Sequence, residues 1–146
     1  MIVLRSILYF VVFYIVTALY LVLGSWLLLG PRRWAMEGLR IHGVTCVWLL
    51  KVICGTRFEL RGQEKLPKAP YLVVSKHQSA WDTFGLIPVF KDPAMVLKAE
   101  LGWIPLYGWF CHKFEHIFVK RDKAAAALKA LIRDARSRAA QGREVV

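Results

Sequence analysis

The stretch YLVVSKHQSAWDTF, residues 71–84, decides the fold. Tyr71-Leu72-Val73-Val74 is a short apolar run rich in β-branched residues, and it reads as a buried strand. Polar residues follow, and Ser79 stands where a helix would be capped. Residues 80–90 read as that helix, ended near Pro88. Downstream the pattern recurs. Met95-Val96-Leu97 is a second short strand, and residues 100–112 read as a helix with a bend at Pro105 or Gly108. His116-Ile117-Phe118-Val119 is a third apolar strand. Asp122 can cap a long helix through Ala124–Ala127, Leu128, Leu131 and Ile132 to Ala140, with Gly142 as its C-terminal cap. Upstream, Arg57-Phe58-Glu59-Leu60-Arg61 alternates with the period of a half-buried strand and stops at Gly62, and residues 66–70 form a loop. Strands alternating with helices predict an α/β layer architecture. The last residues, Arg143-Glu144-Val145-Val146, look like a strand just begun, against a mean strand of about 5–6 residues. The expectation is an N-terminal piece of a longer protein. No internal repeat is visible.

The first third of the chain is different. Residues 6–30 carry no charge, and about 20 apolar residues in a helix cross the hydrocarbon core. A signal peptide would have an apolar region of only about 7–15 residues and a small-residue cleavage site. Here Pro31, Arg32, Arg33 and Trp34 follow, so a retained membrane helix is expected. Arg32, Arg33 and Arg40 outnumber Arg5 on the other side, which puts the remainder in the cytoplasm. Residues 34–54 are apolar but interrupted by Glu37, Arg40, His42 and Lys51. Ile41, Trp48, Leu49 and Val52 share one helical face, as in a helix lying in the membrane interface; a core helix is the competing reading. The expected division is 1–54, membrane-anchoring helices, and 55–146, a globular part.

Composition agrees. Of 146 residues 57% are hydrophobic, and 21 basic against 10 acidic residues give a formal charge of +11. That excess suits an anionic partner, and beside a membrane helix the partner is anionic lipid headgroups. Nucleic acid is not expected, because no helix-turn-helix, RNA-binding or zinc-finger pattern is present. Cys46, Cys54 and Cys111 are odd in number without metal-ligand spacing, and read as reduced residues of a cytosolic setting.

His77 and Asp82 carry the chemistry. Five residues apart in mid-helix they would point about 140° apart. They can meet if His77 lies in the loop and Asp82 in the first helical turn, past a strand's carboxyl end, where open α/β sheets bind ligands. Ser79-Ala80-Trp81-Asp82 also matches a capping box, so Asp82 has a purely structural reading, and the two roles are compatible. As a dyad, neutral histidine takes a proton from an alcohol and the carboxylate fixes its tautomer. Ser75 and Ser79 lack a nucleophile-elbow context, so a substrate hydroxyl is the better proton source.

Val73-Val74-Ser75-Lys76-His77-Gln78-Ser79-Ala80-Trp81-Asp82 resembles the first motif of the glycerolipid acyltransferases, specifically the 1-acyl-sn-glycerol-3-phosphate (lysophosphatidic acid) acyltransferases. Lys98-Ala99-Glu100-Leu101-Gly102-Trp103-Ile104-Pro105-Leu106-Tyr107-Gly108-Trp109 is similar to that family's K-x-E-L…P…G-W segment. Ile117-Phe118-Val119-Lys120-Arg121 resembles the apolar strand ending in a basic residue that follows. The resemblance covers residues 55–146. It implies a glycerolipid-acyltransferase-like sheet with flanking helices, behind an N-terminal membrane-anchoring helical segment. It implies acyl transfer from acyl-CoA or acyl-carrier protein to the free hydroxyl of lysophosphatidic acid, giving phosphatidic acid. His77 would be the base and Asp82 its orienting partner, with direct attack on the thioester and neither metal nor cofactor. Arg121 would bind the acceptor phosphate, assisted by Lys98 as a point charge, while Pro105, Gly108 and Trp109 shape a turn. The implied place is a bacterial inner membrane, catalytic part on the cytoplasmic side, among membrane phospholipids.

Two departures accompany the resemblance. Lys76 stands where the family commonly has asparagine, and the family's F-P-E-G-T-R motif, which follows such a last strand, is absent. Activity is therefore expected of the longer protein, and this chain alone should be weak, unstable or inactive. His112 and His116, four apart, lead into a strand rather than sharing a helix, so no metal is expected there, and His42 reads as structural or headgroup-facing. Two alternatives stay open: a membrane-tethered lipid-binding or adaptor module without turnover, and a related acyltransferase with another acceptor, such as an acylated amino acid or lysophospholipid.

Overall fold

The structure, a computed structural model, describes residues 2–79, 81–120 and 124–146. Its helices are α1 (Ile2–Leu23), α2 (Arg32–Cys54), α3 (Trp81–Gly85), α4 (Tyr107–Lys113) and α5 (Ala124–Ala140). Its strands are β1 (Pro93–Ala94), β2 (Val96–Lys98), β3 (Ile117–Val119) and β4 (Glu144–Val145). The result is a mixture of helices with a small, wholly parallel sheet.

The apolar run at the start does not stay one helix. Of residues 6–30, those after Leu23 belong to a tight turn, with a short 3-10 segment at Ser25–Leu28 and Pro31 at the start of α2. α1 alone has 22 residues, about 33 Å at 1.5 Å per residue. α2 folds back on it as a hairpin. Polar side chains tie the two: Thr17 Oγ1 lies 3.0 Å from His42 Nε2, Tyr20 Oη 3.1 Å from Thr45 Oγ1, and Tyr9 Oη donates to the Cys46 carbonyl at 3.3 Å. The opposite side of α2 faces the rest of the chain. A β-carbon on Gly43 would stand 2.7 Å from the Phe84 carbonyl oxygen, so the missing side chain lets α2 lie against α3. Ile41, Trp48 and Val52 are exposed together, as expected of one face. Of the three arginines counted after the apolar run, Arg32 and Arg40 are bound into the protein, Arg32 to Asp92 and Arg40 to the carbonyls of Phe90 and Lys91.

The strands pair β1 with β4 and β2 with β3. Val96 N–H also donates to the Val146 carbonyl at 2.7 Å, and Val146 N–H to the Ala94 carbonyl at 3.0 Å. On the far side of β4, Leu72 bridges Val145 in parallel, with Val73 N–H to the Val145 carbonyl at 2.8 Å and Val145 N–H to the Tyr71 carbonyl at 3.0 Å. Residues 144–146 are thus enclosed on both sides. Tyr71–Val74, expected to be buried, forms the sheet's edge instead, with Leu72 66% and Val74 87% exposed. No strand forms at 57–61. Those residues are exposed and find no ladder partner among the described residues, so alternation alone did not suffice; Arg61 pairs locally with Glu59. The helix expected over 80–90 ends at Gly85, and Ile87–Val89 is a 3-10 turn containing Pro88. The helix expected over 100–112 divides into a 3-10 turn (Ala99–Trp103) and α4, broken at Leu106, whose φ is 60°. α5 and its terminus are as expected: Gly142, at φ 78°, donates to Ala139 and Arg143 donates to Arg138, a Schellman motif. The expected cap, Asp122, lies outside the described residues.

A buried ionic network closes the amino-terminal edge of the sheet. Arg143, only 3% exposed, reaches Asp92 at 3.3 Å and Glu115 at 3.2 Å, and donates to the carbonyl of Phe114 at 2.9 Å. Glu144 accepts from the backbone N–H of Lys91 and Asp92. Arg32 joins from α2 and Arg138 from α5.

Candidate active site

Because every strand runs the same way, their carboxyl ends share one edge. His77 follows the Tyr71–Val73 segment there, Lys98 ends β2, and the register sets Lys98 beside Val119 at the end of β3. Arg121, two residues further on, lies outside the described residues.

α3 is built by its own first turn. Asp82 Oδ2 accepts the backbone N–H of Gln78 at 2.7 Å and of Ser79 at 3.1 Å. Ser79 Oγ accepts the N–H of Trp81 at 3.2 Å. This is the reciprocal arrangement of a capping box with aspartate in the acidic position. The Trp81 ring lies over Gly85, where a β-carbon would collide with it, and meets Phe58 at 4.9 Å between ring centroids.

The same carboxylate oxygen that caps the helix stands 3.3 Å from Nδ1 of His77. The structural and chemical readings of Asp82 are therefore not rivals. The two backbone N–H groups, with His77 behind them, hold the Asp82 carboxyl below its ordinary value, against the opposing effect of burial. Asp82 is anionic at neutral pH. Its side chain is 18% exposed and that of His77 67%, so the imidazole reaches out from a fixed acid. With Nδ1 toward the carboxylate, Nε2 is left for a substrate proton.

Lys98 and Glu100 face each other at 3.5 Å, both more than half exposed. His112 and His116 do not converge: the His112 ring lies 4.5 Å from that of Phe118, while His116 Nδ1 accepts the Met95 N–H at 3.2 Å. Burial, then the charges of Arg143 and Arg32, push His116 down to about 3, so it is neutral. No group of three or more His, Cys, Asp or Glu able to hold a metal occurs among the described residues. His42 is buried, bonded to Thr17 in the hairpin.

Sequence reasoning missed a cavity. An apolar space of about 620 Å³ lies between the helical hairpin and the sheet, walled by Val16 and Tyr20 of α1, Leu39 of α2, Leu97 of β2 and Tyr107 of α4. Thr83 and Phe84 also line it, so it comes within one or two residues of Asp82. Its size is that of a small-molecule pocket. No local pattern announces it, because its walls come from elements far apart in the chain.

Comparison with known proteins finds similarity over the part of the chain that carries these residues. A family model described as acyltransferase matches residues 57–146. A 1-acyl-sn-glycerol-3-phosphate acyltransferase of Pseudomonas aeruginosa is 41% identical over 85 residues, 58% of this chain and 33% of that protein. The enzyme of that name from Saccharomyces cerevisiae is 32% identical over 57% of this chain and 28% of its own length. A lyso-ornithine lipid O-acyltransferase of P. aeruginosa is 29% identical over 76% of this chain and 43% of its own. The chain spans about a third of the length of the first relatives. No solved structure matches.

Proposed function

The chain belongs to the acyltransferase family, and from that premise we propose that it transfers a fatty acyl group from acyl-CoA or acyl-carrier protein to the free hydroxyl of lysophosphatidic acid. His77 Nε2 takes the hydroxyl proton. The acceptor oxygen bonds to the thioester carbonyl carbon, the C–S bond breaks, and the departing thiolate recovers the proton from the imidazolium. Asp82 keeps the ring in the productive tautomer and stabilises its charged form. The acyl chain lies in the apolar cavity beside α3, and Arg121 binds the acceptor phosphate with Lys98 assisting as a point charge. Residues 1–54 hold the protein at a membrane, a bacterial inner membrane with residues 55–146 on the cytoplasmic side. What carries the reading is the 3.3 Å approach of His77 Nδ1 to Asp82 at the strand-to-helix junction.

The test is a graft. Residues 57–146 replace the matched third of the P. aeruginosa relative, and acyl transfer to lysophosphatidic acid is measured. The graft should be active, and His77→Ala should lower its rate by about 10²–10⁴-fold. A His77→Ala graft as fast as its parent would dismiss the assignment. The broader match to the lyso-ornithine lipid enzyme favours a second reading, in which the acceptor is a lyso-ornithine lipid. Offering both acceptors to the same graft decides between them, and binding of either without turnover would support an adaptor.

A further inference from the structure

The turn between β2 and α4 does something its sequence motif does not explain. It raises Trp103, 84% exposed, together with Ile104 and Pro105, at the edge of the sheet that carries His77. Exposed singly, an apolar residue needs no explanation. Here the backbone is built to keep the group outward. Gly108 packs on Gly102 so closely that any β-carbon there would collide with the Gly102 backbone. Trp103 and Trp109 each stand one residue beyond that contact, so their backbones lie near each other, and Trp109 is 56% exposed. Leu106 takes a positive φ of 60° to close the turn, a conformation that side chains disfavour. The turn leaves two indoles and an isoleucine exposed to the outside.

The same edge carries cations. Lys76 and Lys120 follow the carboxyl ends of parallel strands and Lys98, which faces Glu100, ends another, and all three are exposed. Tryptophan beside lysine is the composition of a membrane-water boundary, where the indole lies at headgroup level and cations meet anionic lipid. The chain's charge of +11 is of the matching sign. We propose that Trp103, Ile104 and Trp109 form a second membrane-contact surface, separate from the helical hairpin, that sets the His77 edge of the sheet against an anionic phospholipid bilayer. This surface does not depend on the acyl-transfer reading, since it concerns where the edge lies and not what it catalyses.

The experiment reads where one indole sits. The full chain is reconstituted into phosphatidylglycerol-containing vesicles whose acyl chains are brominated, and its fluorescence is compared with that of Trp103→Phe; iodide serves as the aqueous quencher. The emission lost with Trp103→Phe should be emission that brominated chains quench and iodide does not. In phosphatidylcholine alone that bromine quenching should fall several-fold. If the lost emission is quenched by iodide, Trp103 is in water and the proposal is overturned. If neither quencher reaches it, protein covers it, as a second copy would, and the proposal is again overturned. Equal bromine quenching in both lipids would overturn the assignment to an anionic surface. Trp109→Phe, read in the same way, supplies an independent second residue, and phenylalanine keeps an apolar ring at either site.

Discussion

One oxygen of Asp82 both accepts the helix-capping N–H groups and stands against His77. Because its folded pKa is depressed, its contribution to the cap is complete above the unfolded aspartate value, about 3.9, and disappears as pH falls through the folded value. Hydrogen exchange should therefore show the Gln78 and Ser79 amides protected at neutral pH and released in acid below about pH 4. In Asp82→Asn that pH step should vanish, because the amide still accepts but no longer titrates. A step that persisted in Asp82→Asn would assign the cap to another group. This residue was legible from sequence: Ser79-Ala80-Trp81-Asp82 is a local pattern with a local cause. The exposure of His77 and the pairing of Lys98 with Glu100 were not, since they depend on how neighbouring elements end.

At the scale of elements, α2 is the piece that joins the hairpin to the site. Gly43 and Gly38 lie on it five residues apart but meet different surroundings. A β-carbon on Gly43 would press on the Phe84 carbonyl and the Pro88 ring, whereas one on Gly38 would meet only the end of Leu27 at 3.1 Å. Gly43→Ala should cost about 1–3 kcal/mol, since backbone and proline cannot yield. Gly38→Ala should be neutral or stabilising, as alanine is the better helix former by about 0.8–1.0 kcal/mol. Urea midpoints of the two variants check this, and equal midpoints would contradict the close packing of α2 on α3. Helix periodicity marked α2, α4 and α5 from sequence, but the short elements were misread at their ends. An end near Pro88 and a bend at Pro105 or Gly108 were expected, but the regular helix already stops at Gly85 and the second breaks at Leu106, between the two expected positions. At 57–61 the alternation was real, but a strand also needs a neighbour, and none is supplied among the described residues.

For the whole molecule, the parallel sheet and the hairpin flank the half-open apolar cavity, and the ionic network at the opposite edge ties α2 to the sheet. Arg143 is its centre, and removing it leaves Asp92 with Arg32 and Glu115 with Arg138 but takes away the cation that joins the two pairs. Arg143→Ala should destabilise by about 1–3 kcal/mol, chiefly through the hydrogen bonds it donates to the buried carbonyls of Phe114 and Pro93. Thermal unfolding measures it, and a shift no larger than that of an exposed site such as Arg61→Ala would show the network to be dispensable. None of this could be read along the chain. Arg32, Asp92, Glu115 and Arg143 lie in four separate places, and only the assembled topology brings them within reach.

The enclosed position of residues 144–146 has a bearing on how the protein is made. Leu72 and Ala94 leave the ribosome long before Val145, the residue that each of them pairs with. At about 5–20 residues per second, the gap from residue 72 to residue 145 is roughly 4–15 seconds of translation. Throughout that interval the nascent hairpin is complete and free to enter a bilayer, while the early strand segments still wait for their common neighbour. If residues 1–54 anchor the protein as proposed, the chain is tethered before its sheet has assembled.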